Sequence, residues 1–258
     1  MKQQNIISIV FLALLSSNTY AATVDGVISN VNEYQWNTDI EAVGGDKWAS
    51  KKGTTEYNDA SGGDDWDINY LGTDVSNGQF QFGAIGGKIL SGQETNDGSD
   101  IYLGDFAISV DGSSDPTIDS SGFQYAIHLN SIVGDVANFS LLTDGQWTAA
   151  NLYNNDNHKS ETYQMSGGTE LLNFNGVWTT GTGADNSVLE GGFDISWLGL
   201  FDPSAGGTLS TYITMACVND EALVHAEVSA VPIPAALWLF TPVLVGFMGL
   251  RRRTKATV

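Results

Sequence analysis

Cysteine is almost missing from this chain. Cys217 stands alone among 258 residues, so no internal disulfide can form, and stability must come from a packed core or a bound metal. It sits in the strand-like run Tyr212–Cys217, where a small buried side chain is expected. Proline is scarce too, with five in the whole chain. Basic charge is the third shortage: ten Lys and Arg stand against thirty Asp and Glu, a formal net charge of −20. Five of the ten (Lys2, Arg251, Arg252, Arg253 and Lys255) lie in the two ends of the chain, and none of the acidic residues do, so the middle carries a charge near −25. Such a field makes nucleic acid and anionic membrane surfaces poor partners and suits divalent cations or neutral polymers.

Catalytic signatures are missing as well. The three histidines, His128, His158 and His225, form no HExxH or His-x-His spacing. No Gly-x-Ser-x-Gly elbow, phosphate-cradling loop or Cys/His pairing around Cys217 is present. The chain therefore reads as non-enzymatic. Paired carboxylates for glycoside hydrolysis are the one chemistry that so many acids leave open.

What the chain has is glycine, thirty residues of it, with many Asn, Asp and Ser, which together mean frequent turns. Between the turns lie short β-rich runs: Trp66–Leu71, Phe80–Ile85, Ile101–Val110, Phe123–Leu129, Phe139–Leu142, Trp147–Tyr153, Leu171–Trp178, Leu209–Met215 and Ala222–Val228. Asn77-Gly78, Asp111-Gly112 and Asp144-Gly145 separate several of them. No long helical period occurs, and only Phe193–Leu200 has the pattern of a short helical turn. This predicts an all-β domain over 22–230: a single antiparallel β-sandwich, jelly-roll-like or immunoglobulin-like, with roughly eight to eleven strands.

The ends read differently. Residues 1–21 have Lys2, an apolar run from Ile6 to Leu15 and a polar stretch ending Thr19-Tyr20-Ala21. A run of about ten apolar residues is too short to span a bilayer, so it predicts a signal peptide, cleaved after Ala21, with Ala22 the alternative. Residues 231–258 read VPIPAALWLFTPVLVGFMGLRRRTKATV. The uncharged segment Ile233–Leu250, about eighteen residues, is near the minimum for a transmembrane helix, and Arg251, Arg252, Arg253 and Lys255 would hold its end in the cytoplasm. Pro232 and Pro234 keep the preceding chain extended and reachable.

The Pro-x-Pro element, the Ala-Ala-Leu-Trp-Leu-Phe run, the glycines Gly246 and Gly249 and the arginine cluster resemble the PEP-CTERM sorting signal, the substrate of exosortases. Ile233 stands where the best-known form of that signal has Glu, which bears on the exosortase subtype. A plain, uncleaved anchor is the alternative. The resemblance implies a Gram-negative, exopolysaccharide-producing bacterium, with a precursor anchored in the inner membrane. Signal peptidase and exosortase would process it, cutting near Pro232–Pro234. The body would pass to the cell surface or extracellular matrix, its membrane contact ending with the loss of the helix.

Within the body, DIYLGDFAISVDG, FQYAIHL and VLEGGFDISWLGL together resemble, over about ninety residues, DOMON domains and family-9-type carbohydrate-binding modules. No haem-ligand pattern carries over. Acidic clusters recur at Asp59, Asp64, Asp65 and Asp67, at Asn96, Asp97, Asp100 and Asp105, and at Asp111, Asp115 and Asp119. Glycine-rich acidic loops of this kind can supply the oxygens that calcium prefers, which makes Asp97, Asp100, Asp105, Asp111 and Asp115 candidate metal ligands and Ca2+ the only cofactor suggested. The same residues are ordinary turn formers, and none matches an EF-hand. Trp48 and Trp147 lie beside turn residues and are the candidates for stacking on a sugar ring. Trp66 and Trp197 are expected to face the core. The leading expectation is a structural or adhesive matrix protein associated with exopolysaccharide. A carbohydrate-binding or calcium-dependent adhesion module comes next, and an extracellular glycan hydrolase last.

Overall fold

The computed structural model describes residues 22–28, 34, 68–91, 102–112, 122–150, 162–180, 187–216 and 221–230. They contain eleven strands: β1 (Ile68–Ser76), β2 (Gln79–Gly86), β3 (Phe106–Ser109), β4 (Tyr125–Val133), β5 (Val136–Thr143), β6 (Gln146–Ala149), β7 (Thr162–Ser166), β8 (Thr169–Thr179), β9 (Ser187–Asp194), β10 (Gly207–Thr214) and β11 (Glu221–Val228). Nine of them form one sheet in the order β1-β2-β9-β8-β5-β4-β3-β10-β11, with every pairing antiparallel. The sheet curls until β1 packs against β11, giving a nearly closed barrel. The expected all-β antiparallel body is there. Its arrangement among the described residues is one curled sheet, not a pair of large stacked ones, with the small β6–β7 ribbon beside it.

Alternation decides which side chains enter the barrel. Leu71, Thr73 and Val75 of β1, Phe80 and Phe82 of β2, Leu189 and Phe193 of β9 and Phe139 and Leu141 of β5 belong to one phase, and their cross-strand partners Ile127, Leu172 and Phe174 follow by register. Six phenylalanines fill the centre. Phe82 lies 4.7 Å from Phe106 and meets Phe139 edge-on at 5.4 Å, and Phe139 stacks on Phe174 at 5.3 Å. Phe193 touches both Phe80 and Phe174. Burying each ring stabilises the fold by about 2–3 kcal/mol. Thr73 and Thr211 pair hydroxyl to hydroxyl at 2.9 Å in this interior, joining β1 to β10 across the closing seam.

Glycines make room for those rings. A Cβ on Gly191 would lie 2.7 Å from the Phe82 ring, and one on Gly176 only 2.0 Å from the Glu190 carbonyl oxygen. Bends come where the register slips: between Ile68 and Tyr70, Leu129 and Ser131, and Leu141 and Leu142. The predicted turn at Asn77-Gly78 is present, both residues having positive φ, and closes the β1–β2 hairpin. The helical turn expected in Phe193–Leu200 is a 3-10 turn, Ile195–Trp197, capped by the Asp194 carboxylate, which accepts from the Ser196 N–H. Its three-residue period sends Ile195 and Leu198 inward. Trp197, expected in the core, therefore points away and is 43% exposed.

Two patches of the outer face are covered. Trp147 of β6 packs on Ala107, Phe123, Tyr212 and Leu223. On the other side, Ala22, Tyr34 and Tyr70 form a small cluster flanked by Ile28 and Ile85. Glu190, fully buried, fastens this second patch: it accepts from the Gly26 N–H and from the Tyr34 hydroxyl, each at 2.6 Å.

Two predictions follow from this packing. Gly176→Ala forces β8 from β9 and is expected to lower unfolding free energy by about 3 kcal/mol in a urea titration. A loss within error of zero would remove the close-approach argument. Glu190→Ala removes the carboxylate that two buried donors share and should cost about 3 kcal/mol, whereas Tyr34→Phe should cost about 1 kcal/mol. The reverse ranking would contradict the fastening role of Glu190.

Candidate functional site

Among the described residues, a cavity that gathers ionisable groups lies where the chain enters β3. Two backbone bonds fix this entry: Gly104 donates to the Thr214 carbonyl at 2.8 Å and Asp105 to the Tyr163 carbonyl at 2.9 Å. Phe106 faces the barrel interior, so alternation turns Asp105 outward. His128 lies between the apolar Ile127 and Leu129 on β4 and faces outward for the same reason. The register Phe106↔Ile127 then brings the two together.

Asp105 is 2% exposed yet has partners for both oxygens. One lies 2.7 Å from His128 Nδ1, and the other accepts from the Met165 N–H at 2.8 Å. The carboxylate therefore links three elements: the entry to β3, strand β4 and strand β7. The His128 side chain is 41% exposed, and its pKa is raised above the ordinary imidazole value. The hydrogen bond to Asp105 is the main cause; partial burial opposes it, and the charge attraction to Asp105 adds to it. With Nδ1–H directed at Asp105, Nε2 is the acceptor of the neutral ring and a second donor of the protonated one. No described residue bonds to Nε2. The adjoining cavity has a volume of about 200 Å³, and Tyr102, Gly104, Gln164 and Leu129 help to line it.

A polar row continues from this point across the sheet. Register sets His128 opposite Ser140, and Ser140 opposite Asn173. Ser140 Oγ accepts from the Asn130 amide at 2.8 Å and lies 2.7 Å from Asn173 Oδ1 and 3.0 Å from Glu170. The Asn173 amide donates to Glu170 at 2.6 Å. Asn130, Glu170, Asn173 and Asn175 are exposed, so this face of β4 and β8 offers amides and a carboxylate to solvent around the buried Ser140 of β5.

Of the five aspartates expected as metal ligands, Asp105 and Asp111 fall among the described residues, and they flank the two ends of β3. Asp111 accepts from the Ser109 hydroxyl and, at 3.4 Å, from the Gln124 amide. Among the described residues no three His, Cys, Asp or Glu side chains come close enough together to hold an ion. Asp97, Asp100 and Asp115 lie outside the described residues, as do Trp48, Ala21, Pro232, Pro234, Arg251, Arg252 and Arg253. Trp147 is described: its Nε1–H donates to the Phe123 carbonyl at 2.9 Å, and its ring meets Phe123 edge-on. Its polar edge is thus committed to the fold. His128, Tyr102 and Gln164 were not singled out from the sequence. The signal for His128 was its outward phase between Ile127 and Leu129.

No family model, curated protein or solved structure matches this chain.

The Asp105–His128 pair implies a pH dependence. Because the folded protein raises the His128 pKa, the pair's contribution is complete below the unfolded imidazole value of about 6.5. It is lost as pH rises through the folded value. Melting temperatures of the native protein and His128→Gln should therefore differ more at about pH 6 than at about pH 9. A difference that stays constant with pH would show that the imidazolium adds nothing.

Proposed function

We propose that the chain is the precursor of an exported, non-enzymatic surface or matrix protein, whose β body has a structural or adhesive role in an exopolysaccharide layer. The observation that carries this reading is the run VPIPAALWLF followed by the span and Arg251–Arg253. It is a PEP-CTERM-like sorting signal placed behind an all-β body that carries all thirty acidic residues. On this reading residues 1–21 are the signal peptide, Ile233–Leu250 the transmembrane sorting helix, and exosortase cuts near Pro232–Pro234.

One contact supports the N-terminal half of this route. Ala22 is buried, and its nitrogen lies 3.4 Å from a carboxylate oxygen of Asp74, itself 6% exposed. Cleavage after Ala21 would turn that nitrogen into an ammonium beside a waiting carboxylate. Cleavage one residue later would remove it.

A second reading, a carbohydrate-binding or calcium-dependent adhesion module, is favoured by the exposed amide and carboxylate row around Ser140. Neutral polymers are the glycans compatible with the charge of the body.

Intact mass of the protein recovered from the cell surface tests the first reading. The expected mass begins at Ala22 and ends near Pro232–Pro234. A mass that includes Arg251–Arg253 would leave a plain anchor instead. A glycan array probed with and without millimolar calcium tests the second, and flat profiles in both conditions would rule it out.

A further inference from the structure

We propose that the cavity beside Asp105 and His128 is a binding site for one unit of a neutral polysaccharide, with the next units lying along the Ser140–Asn173 row. The inference rests on the glycan-binding reading of the body and names the site and the ligand chemistry for it.

Three features of the cavity match a hydroxyl-rich ring. His128 lines the cavity with no bond from a described residue to its Nε2, and the Asp105 carboxylate fixes the ring through Nδ1 at 2.7 Å. Such an imidazole can accept from a sugar hydroxyl without first giving up a protein partner. Gln164 adds an amide that both donates and accepts, and it lines the same cavity. Tyr102, 38% exposed, adds an aromatic ring of the kind that covers the apolar face of a pyranose. A volume of about 200 Å³ accommodates a single hexose and little more.

The row beyond it accounts for a chain. His128, Ser140 and Asn173 are cross-strand neighbours on β4, β5 and β8, and adjacent strands lie about 4.8 Å apart. Ser140 is buried and braces the exposed Asn130, Glu170 and Asn173, so β4 and β8, two strand spacings or about 10 Å apart, are the strands that an extended chain of about two hexose units can meet. Charge then selects among glycans. A body near −25 repels uronate- or sulfate-bearing chains, leaving neutral ones.

The test uses the full chain in detergent with methyl glucoside, methyl galactoside and methyl mannoside, then with neutral oligosaccharides of those sugars up to tetrasaccharides. The His128 imidazole resonances are followed by NMR and affinities are taken by calorimetry. At least one sugar should shift the His128 signals saturably. Tyr102→Ala and Gln164→Ala should each weaken it tenfold or more. Asn173→Ala should leave the monosaccharide unchanged and remove the gain on lengthening. Trp147→Ala should bind as the native protein does, once its melting curve confirms folding. Binding that is saturable but equal in the Tyr102→Ala and Gln164→Ala variants would overturn this site while leaving a glycan-binding body. No binding by any neutral sugar would overturn both, whereas the mass test of export and processing would stand unaffected. Binding of a peptide or an acidic glycan in place of the neutral sugars would also overturn it.

Discussion

The packing of Phe82 against Phe106 and Phe139 is the contact on which the rest depends. A nine-stranded antiparallel sheet can curl back on itself only if its concave face is filled without voids. Here rings from β2, β3, β5, β8 and β9 fill the centre, and the neighbouring backbone is stripped to glycine at Gly176 and Gly191 where they press closest. Larger side chains at those glycines would flatten the sheet. Smaller side chains at the phenylalanines would leave the barrel hollow. Without a disulfide available to Cys217, no covalent link compensates for either.

Buried carboxylates organise the outside in the same way that rings organise the inside. Glu190 receives two donors from the N-terminal part of the chain, and Asp105 receives a donor from β7 and holds His128. Each would be costly to bury unpaired and is fully engaged instead. The two differ in what they leave over. The donors from Gly26 and Tyr34 on Glu190 belong to the fold. The group that Asp105 orients keeps one nitrogen free of described partners, beside a cavity, and that difference separates a structural acid from one that can serve a ligand.

Much of the architecture was legible in the sequence. Strand-forming runs such as Phe139–Leu142 and Leu209–Met215 are rich in β-branched, aromatic and aliphatic residues, and the turn at Asn77-Gly78 declares its positive φ. β7, Thr162–Ser166, was not foreseen, because the alternation of Tyr163 and Met165 in TYQMS is only five residues long and the strand forms through pairing with β6. The choice between two stacked sheets and one curled sheet was also out of reach, since it depends on which distant strands become neighbours, as β2 does with β9. The site was half visible. The outward phase of Asp105 and of His128 can be read locally, but their meeting depends on the β3–β4 register, and the intervening stretch from Val110 to Gln124 gives no sign of it. Trp197 misled for the converse reason: its neighbours are apolar, yet a 3-10 period exposes it.

The seam between β1 and β11 has a consequence for timing. The strand that completes the barrel is the last one made, and its partner across the seam is the first of the sheet. Contacts between such distant parts of a chain form late and slowly. On the proposed export route, the eight residues Glu221–Val228 cross last among the described strands, just before the tail halts in the membrane. Until then the phenylalanine interior stands open along one side. On that proposed route, a tail held at the membrane would give the last strand time to close it.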